Sequence, residues 1–213
     1  MRLNPRVTRV YSAALLLAVA LASPVFASPD LSKIKIDNFG RVNDNYYRGA
    51  QPEARDYADL AALGVKTLVD LTGDDVDPDE RGLAERAGMQ YVHMPMTTHE
   101  PPTAARLAEF LSIVNDPAKQ PVYVHCVGGR HRTGVMTAAY RMTEDGWTAD
   151  QAFKEMKQYN FGADFLHSEF KEFVYGYRPE VVPAERRAVS ASATSSASRP
   201  SGRPPPPASS ARR

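Results

Sequence analysis

The sequence predicts an α/β fold, a three-layer sandwich in which helices flank a mainly parallel central sheet. Three observations support this prediction. Stretches with helical spacing alternate three times with short apolar, β-branched stretches, which is the order of parallel strands joined by helices. Glycines that mark helix ends follow the helical stretches at Gly64, Gly88 and Gly146. The only cysteine of the 213 residues, Cys126, follows a predicted strand, and open α/β sheets bind ligands at that end of their strands.

The first expected element is a short half-buried strand at Ile34 and Ile36, which alternate with lysines. A strand and a turn are expected over residues 39–52. Thr103 is expected to cap a helix. Three helices are predicted in this part of the chain, each followed by a strand: helices over residues 52–63, 78–87 and 103–115, and strands over residues 65–71, 90–94 and 122–124.

Three more helices are predicted after the last strand. The first ends at Gly146, the second is capped by Thr148 and covers residues 148–159, and the third covers residues 165–175. Trp147 is expected to pack on the core. The last helix is expected to bury one apolar stripe, formed by Phe165, Leu166, Phe170, Phe173 and Val174.

Three segments of different composition divide the chain. Residues 1–27 combine an arginine-containing start, an apolar stretch and a final Val-Phe-Ala, the pattern of a signal peptide cleaved after Ala27. The alternative is an uncleaved N-terminal anchor. Residues 28–178 form the predicted folded domain, and residues 179–213, rich in Ala, Ser, Pro and Arg, are expected to be disordered. We therefore expect an exported protein, periplasmic or secreted, with no stable membrane span after cleavage.

Length, charge and cysteine count limit the function classes. A chain of 213 residues provides one domain of ordinary size, which we expect to be a monomer. The net charge is +1, but both ends of the chain are basic, so the body between them has an acidic excess. This excess argues against nucleic-acid binding. Cys126 has no partner for an intramolecular disulfide and is a candidate reactive thiol.

Residues 121–134 read Pro-Val-Tyr-Val-His-Cys-Val-Gly-Gly-Arg-His-Arg-Thr-Gly, which predicts a strand, a tight loop and a helix. The glycines let the loop curl so that its backbone N–H groups point at one anion, and the positive end of the helix faces the same point. This field favours the thiolate of Cys126, the nucleophilic form of the side chain. Arg132 adds a planar fork that can hold two phosphate oxygens. The other predicted phosphate-binding residues of the loop are Val127, Gly128, Gly129, Arg130 and His131.

This stretch resembles the His-Cys-x5-Arg-Thr-Gly signature of the cysteine-dependent protein tyrosine phosphatase superfamily. Residues 129–134 are similar to the Gly-Lys-His-Arg-Thr-Gly of its atypical plant and fungal dual-specificity branch. The resemblance implies a protein tyrosine phosphatase-like fold and a phosphomonoester hydrolase that uses no metal or cofactor and forms a cysteinyl-phosphate on Cys126. The implied substrates are phosphotyrosine, phosphoserine or phosphothreonine proteins, or inositol polyphosphates. A rhodanese-like sulfur-transfer loop fits the His before and the Arg-Thr after the cysteine less well.

Three residues near the signature are expected to assist it. His125 would tune the thiol indirectly, and the Thr133 hydroxyl would donate to the sulfur. Residues 47–52, Tyr-Arg-Gly-Ala-Gln-Pro, resemble a segment that lies close to the active site in these phosphatases. Arg48 is therefore a candidate second cation for the substrate. The alternative is a structural arginine paired with a carboxylate.

The expected proton donor departs from the family pattern. Many relatives have an aspartate two residues before x-Pro-Pro, whereas residues 98–102 read Thr-His-Glu-Pro-Pro, and Thr98 cannot donate as an acid. The atypical branch has Lys-Glu-Pro here, which favours Glu100, with His99 as the neighbouring candidate. Asp74 and Asp75 are remoter candidates, should their otherwise solvated acidic loop fold over the pocket. The departure leaves an alternative function open: a phosphatase-like module that binds phosphorylated ligands with weak turnover.

Overall fold

The computed structural model describes residues 31–74 and 76–179, so the predictions for residues 1–27 and for the tail from residue 180 onward lie outside the described residues. After a 3-10 helix at Leu31–Lys33, the strands are β1 (Gly40–Asn43), β2 (Tyr46–Ala50), β3 (Thr67–Thr72), β4 (Gln90–Met96) and β5 (Val122–Cys126). The helices are α1 (Asp56–Ala62), α2 (Glu80–Arg86), α3 (Ala104–Val114), α4 (Arg132–Glu144), α5 (Ala149–Gln158) and α6 (Ser168–Gly176). None of these helices is long and apolar enough to cross a bilayer.

The five strands form one sheet in the order β1-β2-β5-β3-β4. β2, β5, β3 and β4 run parallel, and β1 is antiparallel to β2. The prediction of a mainly parallel central sheet is therefore confirmed. β5, which ends in Cys126, is the middle strand, so the signature loop leaves the sheet at its centre.

Two apolar layers separate the sheet from the helices. On one face, α1 and α2 pack through Tyr57, Leu60 and Ala84 onto Leu68 and Tyr123. On the other face, α3 to α6 contribute the larger layer around β5, which includes Phe110, Met136, Phe153, Met156 and Phe170. Side chains alternate along a strand, so the two faces receive successive residues of β5. His125 points with Tyr123 toward the smaller layer, and Cys126 belongs to the larger one.

The helix caps predicted from the sequence are present. The Thr103 side chain accepts a hydrogen bond from the Arg106 N–H at the start of α3. Thr148 and Gln151 form a reciprocal capping box at the start of α5. These side chains satisfy backbone N–H groups that lack a partner within the helix, which explains why both predicted starts are correct.

Three predictions about element positions are wrong. Ile36 is buried, but residues 34–36 pair with no strand and adopt no regular structure. The last helix begins only at Ser168, so Phe165 and Leu166 precede it and are 80% and 57% exposed. Trp147 is half-buried outside the core and lies against the guanidinium of Arg141, 4.4 Å from the ring centre. Apolar character alone did not show which of these side chains had a partner to pack on.

Candidate active site

The signature loop, residues 127–131, connects the end of β5 to the start of α4 with its carbonyl groups held from outside. The Gln51 N–H donates to the Val127 carbonyl at 3.2 Å. The next two carbonyls accept from side chains: Gly128 from Asn38 Nδ2 at 2.7 Å, and Gly129 from Arg48 Nη2 at 2.8 Å. Three successive carbonyl groups are therefore fixed by donors outside the loop.

The loop N–H groups have a different environment. Within the described part of the chain, no backbone N–H of residues 127–131 donates to a protein acceptor. Arg132 is the first residue of α4, so the positive end of a 13-residue helix follows directly. Free amides and a helix N-terminus lie beside the 3% exposed Cys126, an arrangement that suits the anion site expected from the sequence.

Gly129 makes the tight approach of this loop to β2 possible. Its φ angle of +64° lies in the left-handed region, which favours glycine. A Cβ at this position would collide with the carbonyl group of Gly49. Both conformation and space therefore exclude a side chain where the loop crosses the neighbouring strand.

Arg48 lies behind the loop and does not face the substrate side. Its side chain is fully buried, donates to the Gly129 carbonyl and packs 4.0 Å from the ring centre of Tyr159. Burial lowers the pKa of this guanidinium. Within the described residues, Arg48 makes no hydrogen bond or ion pair with a carboxylate, and its full burial does not favour direct contact with a substrate. It braces the phosphate loop from below.

Arg132 is 4% exposed and reaches a carboxylate from the acidic loop. Its Nη1 donates to Asp74 Oδ1 and, at 3.1 Å, to the Met96 carbonyl at the end of β4. The hydrogen bond from Arg132 is the main reason why the pKa of Asp74 is lowered. Asp74 of the acidic loop therefore contacts the arginine predicted to bind phosphate. Asp75 lies outside the described residues.

Behind the nucleophile, three fully buried ionisable residues meet, and we refer to Asp70, Glu80 and His125 as the buried cluster. The His125 Nε2 lies 3.0 Å from Glu80 Oε1, and its Nδ1 lies 4.0 Å from Asp70 Oδ1. Two phenols donate to the carboxylates, Tyr91 to Asp70 at 2.7 Å and Tyr57 to Glu80 at 3.3 Å. Burial, followed by interactions with these carboxylates, raises the pKa of both tyrosines.

A second group of ionisable side chains comes from the loop after β4, the signature loop and the start of α6. We refer to its members, His99, His131, His167 and Glu169, as the mouth cluster. The rings of His131 and His167 are 3.7 Å apart between centres, and those of His99 and His167 are 5.7 Å apart. The Nδ1 of His167 donates to the Thr98 carbonyl at 3.0 Å. The pKa of His131 is lowered, chiefly by burial and then by the charge of His167.

Two residues expected to assist the reaction have side chains without a hydrogen-bond partner among the described residues. The buried Thr133 hydroxyl makes no hydrogen bond within the described residues, so its expected bond to the Cys126 sulfur is absent. The exposed side chain of Glu100 makes no ion pair or hydrogen bond in the described part of the chain, although its backbone N–H donates to Thr97 Oγ1. Val127 and Arg130 of the loop are exposed.

The family comparison agrees with this geometry. The family model described as "DSP-PTPase phosphatase fused to NAD+ Kinase" matches residues 28–173. The chain belongs to this family. Its enzyme class, cysteine-dependent phosphatase of the tyrosine and dual-specificity type, follows from this membership and confirms the class predicted from the signature.

Curated relatives of this DSP-PTPase domain come from several kingdoms. A probable tyrosine-protein phosphatase, DG1060 of Dictyostelium discoideum, is 29% identical over 126 residues, which are 57% of this chain and 75% of the relative. The dual specificity protein phosphatase TpbA of Pseudomonas aeruginosa is 31% identical over 139 residues, 65% of this chain and 62% of TpbA. The inositol diphosphatase SIW14 of Saccharomyces cerevisiae is 25% identical over 130 residues, 59% of this chain and 46% of SIW14. The chain thus spans less than two thirds of the length of TpbA and of SIW14.

Solved structures support the fold of the DSP-PTPase domain. The crystal structure of P. aeruginosa TpbA superposes with a TM-score of 0.58 at 30% identity and covers 73% of this chain and 92% of TpbA's. The Siw14 catalytic core gives a TM-score of 0.62 at 23% identity, with 74% and 93% covered, and supports the fold alone. The predicted fold class is confirmed.

Sequence reasoning missed several residues that build the site of this DSP-PTPase domain. Asn38 holds the Gly128 carbonyl from 90 positions away, with a left-handed φ of +52° as its only local oddity. Asp70 interrupts the apolar strand β3, and Glu80 begins α2, where an acidic residue is ordinary. The available signal was an aspartate inside an otherwise apolar buried strand, because such a carboxylate requires buried partners.

Proposed function

We propose that this chain hydrolyses phosphate monoesters in two steps without a metal, with Cys126 as the nucleophile. One observation carries the proposal: Cys126 ends the central strand beneath a loop whose carbonyls are tied outward, and Arg132 follows at a helix N-terminus. Amides directed at one point and a planar guanidinium stabilise a phosphate whose charge spreads over its equatorial oxygens. Family membership supports the same chemistry.

In the first step, the thiolate of Cys126 attacks phosphorus, and the bond from phosphorus to the leaving oxygen breaks. The leaving oxygen takes a proton from a carboxylic acid. In the second step, water attacks the cysteinyl-phosphate, a proton returns to the carboxylate, and inorganic phosphate leaves with the thiolate restored. Arg132 and the loop amides hold the same three oxygens through both steps.

For the proton donor, we propose Asp74 ahead of Glu100, His99 and the other candidates. The support is the hydrogen bond between Asp74 and Arg132, because this bond joins a carboxylate to the phosphate-binding residue. The same bond is the largest cause of the lowered pKa of Asp74. A bound phosphate would compete for Arg132 and remove that cause, and its negative charge would favour protonated Asp74. Binding of the substrate would then itself favour the protonated form of Asp74 that the reaction needs.

As substrate, we propose phosphotyrosine in proteins. Exposed apolar side chains favour an aromatic ester: Val127 directly follows Cys126, and Phe165 and Leu166 precede His167, which packs on His131 of the loop. The lowered pKa of His131 also favours an uncharged ring, which is less suited than a charged one to bind a substrate with several phosphates. Among solved relatives, a cysteine-to-serine variant of TpbA holds phosphotyrosine.

Inositol polyphosphates are the second candidate. Arg130 is exposed within the signature loop and can contact a further phosphate group. Two relatives, SIW14 of S. cerevisiae and DSP2 of Oryza sativa subsp. japonica, are named inositol diphosphatases. Phosphoserine and phosphothreonine proteins complete the group of substrates to compare.

The N-terminal residues 1–27 have the pattern of a signal peptide. We propose that residues 1–27 direct the chain out of the cytoplasm and are removed after Ala27, on the sequence pattern alone. Fractionation of cells that express the full chain, with N-terminal sequencing of the product, tests this. A product in the cytoplasm that still begins at Met1 would contradict it.

The decisive experiment is a phosphate-release screen with residues 28–213 in the presence of a metal chelator. Phosphotyrosine peptides, phosphoserine and phosphothreonine peptides and inositol polyphosphates are compared by kcat/KM. We expect the largest kcat/KM for phosphotyrosine. Tight binding of these ligands without phosphate release would instead support the phospho-ligand binding module, and a requirement for metal would contradict the mechanism.

A further inference from the structure

The mouth cluster contains a carboxylate oxygen that faces two imidazoles without bonding to either. Oε1 of Glu169 is buried and has no hydrogen-bond partner among the described residues. It lies 3.6 Å from Nδ1 of His99 and 3.6 Å from Nδ1 of His167. Both distances are too long for hydrogen bonds. A buried carboxylate oxygen without a donor is costly, so a bound cation would stabilise this arrangement.

The spacing of these atoms suits a transition-metal ion. Zinc binds imidazole nitrogen and carboxylate oxygen at about 2.0–2.2 Å, so two ligands of a tetrahedral ion lie roughly 3.4 Å apart. One ligand atom from each of His99, His167 and Glu169 can be chosen so that all lie within 4.8 Å of one another. The His99 side chain is 74% exposed, so its surroundings leave room for it to move toward the other two ligands.

We propose that His99, His167 and Glu169 bind a divalent transition-metal ion of the zinc class, with water in the fourth position. Two imidazoles and one carboxylate form a common zinc ligand set. Mg²⁺ and Ca²⁺ prefer sets made of oxygen alone, so the two nitrogen ligands disfavour them. The site is separate from Cys126 and Arg132, and the ion takes no part in the cysteine chemistry.

The charges around the cluster set the affinity. The positive end of α6 and the guanidinium groups of Arg130 and Arg132 oppose a cation. Glu169, in the first turn of α6, supplies a negative charge at the site itself. Asp74 lies close enough for the charge of His99 to contribute to its lowered pKa.

The position of the site predicts a regulatory effect, which rests on the proposed function. His99 belongs to the loop after β4, and His167 and Glu169 belong to the start of α6, so an ion joins the two segments. Coordination through Nδ1 of His167 would replace its hydrogen bond to the Thr98 carbonyl. The loop that carries His99 and Glu100 would then be held by the metal, beside the pocket, and we expect a lower kcat.

Binding is tested without turnover in the full chain carrying Cys126→Ser, because the native thiolate would itself bind zinc. Zn²⁺ affinity is measured by titration calorimetry, and Co²⁺ is added as a spectroscopic probe. We expect one ion per chain and the visible absorption of tetrahedral Co²⁺. Adding Glu169→Gln or His99→Asn should each weaken Zn²⁺ binding at least about tenfold, because each removes one of three ligands. Glu172→Gln, an exposed change on the same helix, is the matched control and should leave affinity unchanged.

Two results would overturn the site. One is the absence of Zn²⁺ binding to the Cys126→Ser chain at millimolar Zn²⁺. The other is binding that neither Glu169→Gln nor His99→Asn weakens. His99 is largely exposed, so His99→Asn keeps the test valid even if Glu169→Gln destabilises the protein.

The regulatory effect is tested on the native cysteine with Zn²⁺ buffered near the measured dissociation constant. Zinc should lower kcat in the native chain and in Glu172→Gln, but less in Glu169→Gln. Equal inhibition of all three would assign the effect to zinc on Cys126 and contradict this part of the proposal. A chain that binds zinc at the cluster yet hydrolyses no phosphate ester would contradict the proposed function and leave the site standing.

Discussion

The buried cluster and the mouth cluster both bring histidine and carboxylate side chains together next to the signature stretch, but they differ in access to solvent. Asp70, Glu80 and His125 are fully buried behind the nucleophile. In the mouth cluster, His99 is exposed and the other members are partly buried. Tyrosine hydroxyls donate to the carboxylates of the first, whereas two imidazoles of the second donate to backbone carbonyls.

This difference separates two uses of the same side-chain types. In the interior, removing one partner leaves another charge uncompensated, so each member is tied to the stability of the fold. At the mouth, solvent screens the loss of one partner. The buried cluster is therefore suited to hold the strand end and Cys126 in place, whereas the mouth cluster is suited to exchange ligands.

The largest effect is expected at Cys126, which directly follows His125 of the buried cluster. Cys126→Ser should lower kcat by about 10⁴-fold or more, because serine keeps the size but does not ionise in this field. Melting temperature and inorganic phosphate binding should stay close to those of the native chain. Phosphate release is measured with an aryl phosphate, and activity that survives in the variant would refute the cysteine mechanism.

Matched glutamate changes compare the two clusters directly. Glu80→Gln should lower the free energy of unfolding by about 3 kcal/mol, or roughly 6–12 °C in melting temperature, because it removes a buried carboxylate that lies 3.0 Å from His125 and accepts from Tyr57. Glu169→Gln should change it by less than about 0.5 kcal/mol. Denaturant titration of both variants checks this. Equal losses would show that both clusters are structural.

The third prediction tests whether the proton donor is Asp74, in the acidic loop, or Glu100, in the loop after β4. Asp74→Asn should lower kcat by roughly a hundredfold for a poor leaving group, in line with general-acid contributions. The loss should nearly disappear for an aryl phosphate with a good leaving group. Glu100→Gln, the donor favoured by sequence resemblance, is the control and should retain most activity on both. The reverse pattern would return the role to Glu100, and an equal loss of Asp74→Asn on both esters would indicate a positioning role.

The smallest effect concerns pH. The pKa of His131 is below the ordinary 6.5 in the folded protein, so folding favours its neutral form. Its contribution to stability is present above pH 6.5 and is lost as the pH falls through the lowered folded-state pKa. His131→Asn should therefore show a shallower fall in melting temperature between pH 7.5 and 5.5, by roughly 2–4 °C for a contribution below about 1 kcal/mol. Identical pH profiles would contradict the assignment.

Sequence patterns predicted the structure correctly where the residues that carry the pattern also form the structural element themselves. The strand, loop and helix around Cys126 follow from glycines and β-branched residues within 14 positions, and the Thr103 and Thr148 caps act over three residues. Phe165 and Leu166 show the opposite case. Their spacing matched a helix, but α6 begins after them and no described layer covers them.

The positions of Arg48 and Asp74 could not be predicted from the sequence, because they depend on tertiary contacts. The resemblance brought Arg48 near the site, but only the parallel pairing of β2 with β5 shows that it supports the loop from behind. Asp74 and Arg132 are 58 positions apart, and their contact depends on where the acidic loop turns after β3.

The sequence by itself determined the α/β class, the phosphatase signature and the placement of Cys126 and Arg132 at the two ends of one loop, because these depend on neighbouring residues and on short-range backbone geometry. Tertiary structure alone decided which distant side chains complete the site. Asn38, Asp70 and Glu80 reach the signature from other segments, and Glu169 meets His99 across two loops. Such contacts depend on how strands pair and helices pack, and no periodicity along the chain encodes which residues will then be neighbours.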